Sequence, residues 1–594
     1  MSSGPAAKSG PPVLAVLVTA TLLTAVGCSD ARQAASSGWP IEPAIGPTIG
    51  ATEPPEPDNL ASSFLAGRIA LADGDLRAAA ENLGNALALD PDNLELRREV
   101  FSLHLGVGDY PTALALAESL AEIDPDAEDA ALMLIFRDVR AGDFAKAAAA
   151  LAPVGDRGIV GVAKPILDAW ITFGAGHPDE AVAALVKEER DDGLGAIRLY
   201  HAAMMLALDG QTDAARGKLE PLVTGDGRTP TRLVTGLVAI EAASGRGSEA
   251  ARMLEEQLAA TPGNSALEAA LAQLRAGEHP PLPVTDAASG MADALLSLAR
   301  ALNDQKAQGQ ALLMARMAAY LAPGQGDVAL LIADISLDQG NPEEALAILA
   351  GVPADSPFGW EARLLGAQVL ATTGHEDEAI ARLDQMAAER PERIDALVAK
   401  GDLLRRQDNF AESERAYDQA IGRLGEVTAG QWPLFYARGI ARERTGRWPE
   451  AEADFLRALE LQPDQPQVLN YLGYSWVDQG INLAEGEAML RRAVELRPDD
   501  GYIVDSLGWA YFRLDRVDEA VTYLERAAEL QPDDPVINDH LGDAYWRAGR
   551  QREARFQWQR ALTFKPDDDQ VVIIERKLRD GLDEGSGEHG ANSG

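Results

Sequence analysis

Apolar residues recur along this chain three and four apart, at helical spacing, and strand-type alternation is nowhere sustained. The pattern is clearest between Gly501 and Asp567, where one 34-residue sentence is written twice. Leu507, Gly508, Tyr511, Ala520, Leu524, Ala527 and Pro532 return as Leu541, Gly542, Tyr545, Ala554, Trp558, Ala561 and Pro566, with every spacing kept. Self-similarity at this period predicts helical hairpins that bury their apolar faces only by stacking on their neighbours. Each residue type has a mechanical role. Leu507, Gly508 and Tyr511 share one side of a first helix. Gly508, Ala520 and Ala527 are small where two helices cross closely. Pro532 closes the second helix, and Asp533 with Asp534 caps the next.

These residues and offsets resemble the tetratricopeptide repeat, whose consensus has Leu-Gly, an aromatic three residues on, then Ala, an aromatic or Leu, Ala and Pro. The resemblance implies an all-α fold, a right-handed α-solenoid of helix-turn-helix hairpins. It extends from about residue 60 to 580, tightly in the last three units and loosely before them. The small residue of the second helix tracks the earlier units: Ala79, Ala113, Ala147, Ala181 and Ala215 are each 34 apart, and Ala250 follows after 35. A second series runs through Ala311, Ala345, Ala379 and Ser413, then Ala451, Gly486, Ala520 and Ala554. Six units therefore precede, and eight follow, a stretch that reads AGEHPPLPVTDAASG.

That stretch, residues 276–290, holds Pro280, Pro281 and Pro283 and reads as a break between two repeat blocks, 59–275 and 291–566; a looped-out insertion in one continuous superhelix is the other reading. A helix from about Ser265 to Arg275 finishes the first block. Val571, Val572, Ile574 and Leu578 put an apolar face on a capping helix within 567–582, and the Gly-, Ser- and acid-rich tail 583–594 has the composition of a disordered segment.

Charge and cysteine usage narrow the partners and the compartment. The 594 residues carry a formal net charge of -40, which opposes phosphate backbones and argues against a nucleic-acid partner. The single cysteine, Cys28, allows neither an intrachain disulfide nor a cysteine-built metal site. It follows Lys8, an apolar run from Val13 to Val26, and the tetrapeptide Ala25-Val26-Gly27-Cys28. This resembles a bacterial lipoprotein signal, with Ala25 where Leu is usual, and implies cleavage of residues 1–27 and a lipid on Cys28. An ordinary cleaved signal is the alternative. Ser29 in place of Asp after the cysteine implies the outer membrane, with the chain facing the periplasm. The Pro-rich segment 28–58 then reads as a flexible tether.

Catalytic and cofactor motifs are missing from the sequence. The seven histidines fall in no short metal-ligand spacing, and neither a phosphate loop nor a Gly-x-Ser-x-Gly elbow is present, so no cofactor, metal or catalytic residue is expected. Arrays that resemble this one present the first helix of each hairpin to a groove. With Gly508 as position eight, the groove positions two, five, nine, twelve and thirteen hold Tyr502, Asp505, Trp509, Phe512 and Arg513. The following unit contributes Asp539, Asp543, Trp546 and Arg547, and the preceding one Asn470 and Tyr474. Large aromatics beside arginines suit a peptide groove, with rings as anchors. The competing reading has the rings packing on one another across adjacent repeats. Six of the nine tryptophans lie in these last units, which concentrates the expected interface there.

The resulting expectation is a non-catalytic scaffold for protein or peptide partners, a curved rod anchored through an N-terminal lipid and serving envelope assembly or export. An accessory regulator of a cell-wall enzyme and a self-assembling structural protein are the alternatives.

Overall fold

The computed structural model describes residues 59–124, 126–155, 158–187, 194–224, 229–261 and 263–582. The signal-like segment, Cys28, the tether, Pro125, Pro262 and the tail 583–594 lie outside them. Every regular element among the described residues is helical, and the helices follow one another in pairs: six pairs up to Ala260, a single helix Ser265–Arg275, eight pairs from Ala287 to Thr563, and a last helix Asp568–Asp580. The tracking residues Ala79, Ala113, Ala147, Ala181, Ala215, Ala250, Ala311, Ala345, Ala379, Ser413, Ala451, Ala520 and Ala554 are all fully buried.

Local chemistry explains the pairing. An ideal Cβ on Gly508 would lie 2.7 Å from Leu524, and one on Gly542 would lie 2.4 Å from Trp558, so only glycine lets these paired helices touch. Between the two helices of a pair the chain turns through a left-handed residue, as at Gly74, Gly108 and Gly142. The next helix is then capped one residue on: Asp75, Asp109 and Asp143 each accept a backbone N–H, from Ala78, Thr112 and Lys146. Asp534 caps its helix in the same way, accepting from the Ile537 N–H at 2.9 Å.

Two compact units divide the chain, one up to His375 and one from Glu376. The boundary falls in the turn between Gly359–Thr372 and Glu376–Glu389, so the prolines of 276–290 lie inside the first unit.

There the first unit departs from a rod in which each hairpin touches only its neighbours. After Pro283 the chain folds back. Helix Ala287–Asp304 packs against Gly158–Gly174 and also meets Glu128–Arg140 and Gly195–Leu208; helix Gln308–Leu321 packs against Leu94–Gly106 and Glu128–Arg140. The close approach depends on Gly290, where a Cβ would lie 2.2 Å from the Trp170 ring. Arg316 donates from Nε to the Gly106 carbonyl at 2.7 Å and pairs with Glu344 at 2.5 Å, while the Tyr110 hydroxyl donates to the Arg316 carbonyl at 3.0 Å. Arg140 lies 4.6 Å over the Tyr320 ring. The cause is apolar surface: Leu132, Phe136, Val139, Ile166, Trp170, Tyr200 and Met204 occupy the inner sides of the first-block hairpins, and all are buried.

A polar cluster is enclosed where the fold-back hairpin meets the first block. The Trp170 indole N–H donates to His201 Nδ1 at 3.2 Å, and His201 Nε2 lies 3.9 Å from Asp293. Burial, with the Arg232 charge beside it, lowers His201 to about 3. Burial raises Asp293 to about 6 in spite of Arg232. The two act on stability in opposite directions. The buried neutral His201 contributes stability that is present above pH 6.5 and lost as pH falls toward its lowered value. Asp293, raised in the fold, contributes stability that is present below its unfolded value and lost as pH rises through about 6. His201→Gln is therefore expected to make the protein less sensitive to acid, and Asp293→Asn more sensitive. Melting temperatures measured between about pH 4 and 7 check both signs.

The second unit is an ordinary stack held at one point by a charge network. Arg438 and Arg442 both bond Asp454, at 2.6 and 2.9 Å, and Arg442 and Arg447 share Glu414, at 2.9 and 2.6 Å. At its end, helix Asp568–Asp580 covers the last hairpin with Ile574 buried and Leu578 packed beside it, while Val572 faces outward.

Candidate functional site

The inner face of the second unit is built from Pro466–Asp478, Gly501–Arg513 and Pro535–Arg547, the first helices of three consecutive hairpins. Its centre is a stack. Trp509 lies 4.8 Å from Phe512 within one helix and 3.9 Å from His540 on the next, with interplanar angles of 18° and 17°. Arg547 closes the other side, 5.0 Å over the Phe512 ring, so one column of four flat groups joins two hairpins. Behind the column, the His540 imidazole bonds Asp505 at 3.0 Å. Burial works against charge on His540, but the Asp505 carboxylate beside it outweighs burial and raises the imidazole's pKa.

The last helix enters the same face. Lys577 donates to Asp539 and to Asp543, each at 2.7 Å, and the Trp558 indole N–H donates to Asp543 at 2.9 Å. Burial pushes Asp543 up to about 6 against the pull of Lys577. Trp546 tilts against Trp558 at 5.4 Å and lies against Gly581, where a Cβ would meet its ring at 2.2 Å.

These contacts sort the residues singled out in the sequence. Tyr502 is 57% exposed, and Arg547 is exposed at the helix end. Asn470, Tyr474, Trp509, Arg513, Asp539 and Trp546 are half-buried. Asn470 has a buried amide oxygen that accepts no hydrogen bond, and Arg513 pairs with Asp478 at 3.3 Å. Phe512, Asp505 and Asp543 are buried, the first inside the column and the two acids on His540 and Lys577, so these three brace the face from behind. The tryptophan concentration has a similar outcome: Trp476 and Trp558 are buried in packing, with Trp476 donating to Glu452 at 2.6 Å. His540, Lys577 and Gly581 belong to the site without having been singled out as groove residues. The one signal for His540 is its place 35 residues after Asp505.

Among the described residues no group of three or more His, Cys, Asp or Glu side chains is placed to hold a metal ion, and no helix is long and apolar enough to cross a membrane. What the arrangement offers is surface: an exposed phenol, an exposed guanidinium and a rigid aromatic column.

Paired helices with small residues at every crossing and a polar-aromatic inner face define a helical repeat protein of the interaction-scaffold class. The family profile described as tetratricopeptide repeat matches residues 64–128, 330–394, 436–501, 482–535 and 506–569. Those segments carry tetratricopeptide repeats. No curated protein matches it. Solved structures that resemble it include a tetratricopeptide repeat protein from Parabacteroides merdae, at 15% identity over 43% of this chain and 97% of that one, with a TM-score of 0.35. The APC/C hetero-tetramer Cut9-Hcn1 is similar at 16% identity over 88% and 96%, with a TM-score of 0.38. YrrB, described as a TPR protein with an unusual peptide-binding site, is similar at 18% identity over 33% and 97%, with a TM-score of 0.26.

The raised His540 pKa gives the column a pH signature. Its pairing with Asp505 contributes stability that is fully present below about pH 6.5 and lost as pH rises through the raised value. The melting temperature of the wild type is expected to exceed that of His540→Gln most at mildly acidic pH, and the gap to narrow as pH rises past the raised value, as followed by thermal denaturation.

Proposed function

We propose that this chain is a non-catalytic docking scaffold, tethered to the outer membrane by a lipid on Cys28, that receives protein or peptide segments on the inner face of its second unit within envelope assembly or export complexes. One contrast carries the docking half of this reading. In the first unit the inner faces are occupied by the chain's own hairpin 287–321, whereas in the second Tyr502 stands 57% exposed beside an immobilised aromatic column. A rigid ring loses little conformational freedom when a partner packs on it, which is why such groups anchor interfaces. Tyr502, Trp509 and Tyr474 supply rings on this face, Asn470 supplies an amide, and Arg513 and Arg547 supply guanidinium groups for carboxylates or backbone carbonyls.

The tethering half rests on the sequence from Val13 to Cys28 and on the Pro-rich segment that follows. Several acyl chains on one cysteine give stable anchoring, since each buried methylene contributes about 0.8 kcal/mol.

Photoreactive residues at Tyr502 and Arg547 in living cells are expected to capture partner proteins, and one at Thr522, an exposed position on a second helix, is not. Equal capture at all three positions, or none at the first two, sinks the docking reading. Cys28→Ser is expected to release the protein into the soluble envelope fraction or to leave its signal uncut. A cleaved protein that still sediments with membranes means that something other than a lipid holds it.

A further inference from the structure

The first helices of the second unit's pairs end alike. Asp395–Arg406, Trp432–Arg444, Gly501–Arg513 and Pro535–Arg547 all close on arginine, five residues after the glycine of the crossing, and only Pro466–Asp478 closes on an acid. A cation at that place suits the helix dipole. The dipole is not a sufficient cause, because the corresponding helices of the first unit close on alanine, glycine, leucine, threonine or aspartate, with one exception. That exception, Arg140, lies over the Tyr320 ring and so serves the fold-back.

The four arginines form one edge of the inner face. Three of them lean on the hairpin before: Arg547 over Phe512, Arg513 on Asp478 at 3.3 Å, and Arg444 over Phe410, 5.2 Å from the ring centre. Arg406 is exposed, and among the described residues neither it nor Arg444 pairs with a carboxylate. The acids at inner positions nearby are engaged. Asp402 accepts from the Tyr417 hydroxyl at 2.7 Å, Glu443 from the Tyr471 hydroxyl at 3.1 Å, and Asp505 holds His540. The charge left over along this edge is therefore positive, in a chain whose net charge is -40.

We infer that this edge receives an extended acidic segment of a partner protein, whose carboxylates are taken by Arg406, Arg444, Arg513 and Arg547. The inference rests on the docking reading and names the chemistry of what docks. The planar guanidinium fork matches a carboxylate, and its five donors leave Arg513 able to serve a second one beside Asp478. Neighbouring first helices pack roughly 10 Å apart, and an extended chain advances about 3.3 Å per residue. Carboxylates at about every third residue therefore meet successive rungs, and the Asp478 rung asks for an uncharged residue. Tyr474 and Trp509, one helical turn before the Asp478 and Arg513 rungs, supply rings for the side chains between. Repulsion from the rest of the chain is largely screened beyond about 8 Å at physiological ionic strength, so contact at the rungs decides. The same net charge disfavours a dense polyanion, which brings far more charge than the rungs can match.

The test uses the full chain and fluorescein-labelled peptides of thirteen residues, read by fluorescence anisotropy. One carries glutamate at its first, fourth, tenth and thirteenth places, with glutamine at the seventh and neutral residues between; two others carry glutamine or lysine at the same four places. The glutamate peptide is expected to bind about tenfold more tightly than either. Arg406→Gln with Arg444→Gln, at positions that hold no ion pair, is expected to weaken it about tenfold while leaving the melting temperature unchanged. Arg552→Gln, at an exposed arginine on a second helix, is expected to change nothing. Arg406→Glu with Arg444→Glu is expected to turn the preference toward the lysine peptide. Three results overturn the inference: a glutamate peptide that binds no better than the lysine one or not at all, an affinity untouched by the double glutamine variant, and inorganic polyphosphate that competes as an equal, because the rungs then read bare negative charge. Each leaves the docking reading standing wherever Tyr502 and Arg547 capture partners in cells. Absence of capture there sinks that reading and this inference with it.

Discussion

Close approach of paired helices at positions that tolerate almost no side chain governs everything else in this protein. Gly508 against Leu524, Gly542 against Trp558 and the buried small residues at each crossing, alanine at most and Ser413 or Gly486 at two, fix the distance between helix axes, and that distance brings residues 34 or 35 positions apart into contact. Once the spacing is set, Asp505 can bond His540 and Trp509 can stack on it, though no single hairpin holds both partners. The functional face is therefore a product of packing between hairpins as much as of the residues that line it.

The two units use the same hairpins to opposite ends. In the first, the inner positions are apolar, and the chain supplies its own cover by folding residues 287–321 onto them. In the second, acids, arginines and rings stand at the same positions and neutralise one another in pairs: Asp505 with His540, Asp478 with Arg513, and Asp539 and Asp543 with Lys577. Such a face is stable when wet, because its buried charges are already matched and its rings already packed. An apolar inner face commits a block of repeats to an internal partner, and a matched polar one leaves it open to an external one.

The hairpins and the small tracking residues were legible in the sequence because each is decided locally, by helical period and by the need for a small residue at a crossing. The fold-back was not read, although its signal was present. Leu312, Leu313, Met314, Met317 and Leu321 leave helix Gln308–Leu321 with little polar face, and a helix apolar all round is a buried helix. The groove numbering that singled out Trp509 also places Leu132, Phe136, Trp170 and Met204 at inner positions, where their apolar character demands a cover. At the site itself the residue types were legible and their exposure was not. Whether Phe512 faces solvent depends on how far Arg547 on the next hairpin leans over it, which is set by the rotation between hairpins and leaves no trace in either hairpin's own sequence.

Arrays of this kind commonly grow or shrink by whole repeats, since each unit needs only the one beside it. The fold-back hairpin removes that freedom from the first unit. Helix Gln308–Leu321 rests at once on Leu94–Gly106 and Glu128–Arg140, and Gly290 seats its partner helix at Trp170, so duplication or loss of one repeat between those points would shift every contact by a full hairpin. The fold-back thus fixes the number of repeats this block can hold, a constraint that the stacked hairpins beyond Glu376 do not share.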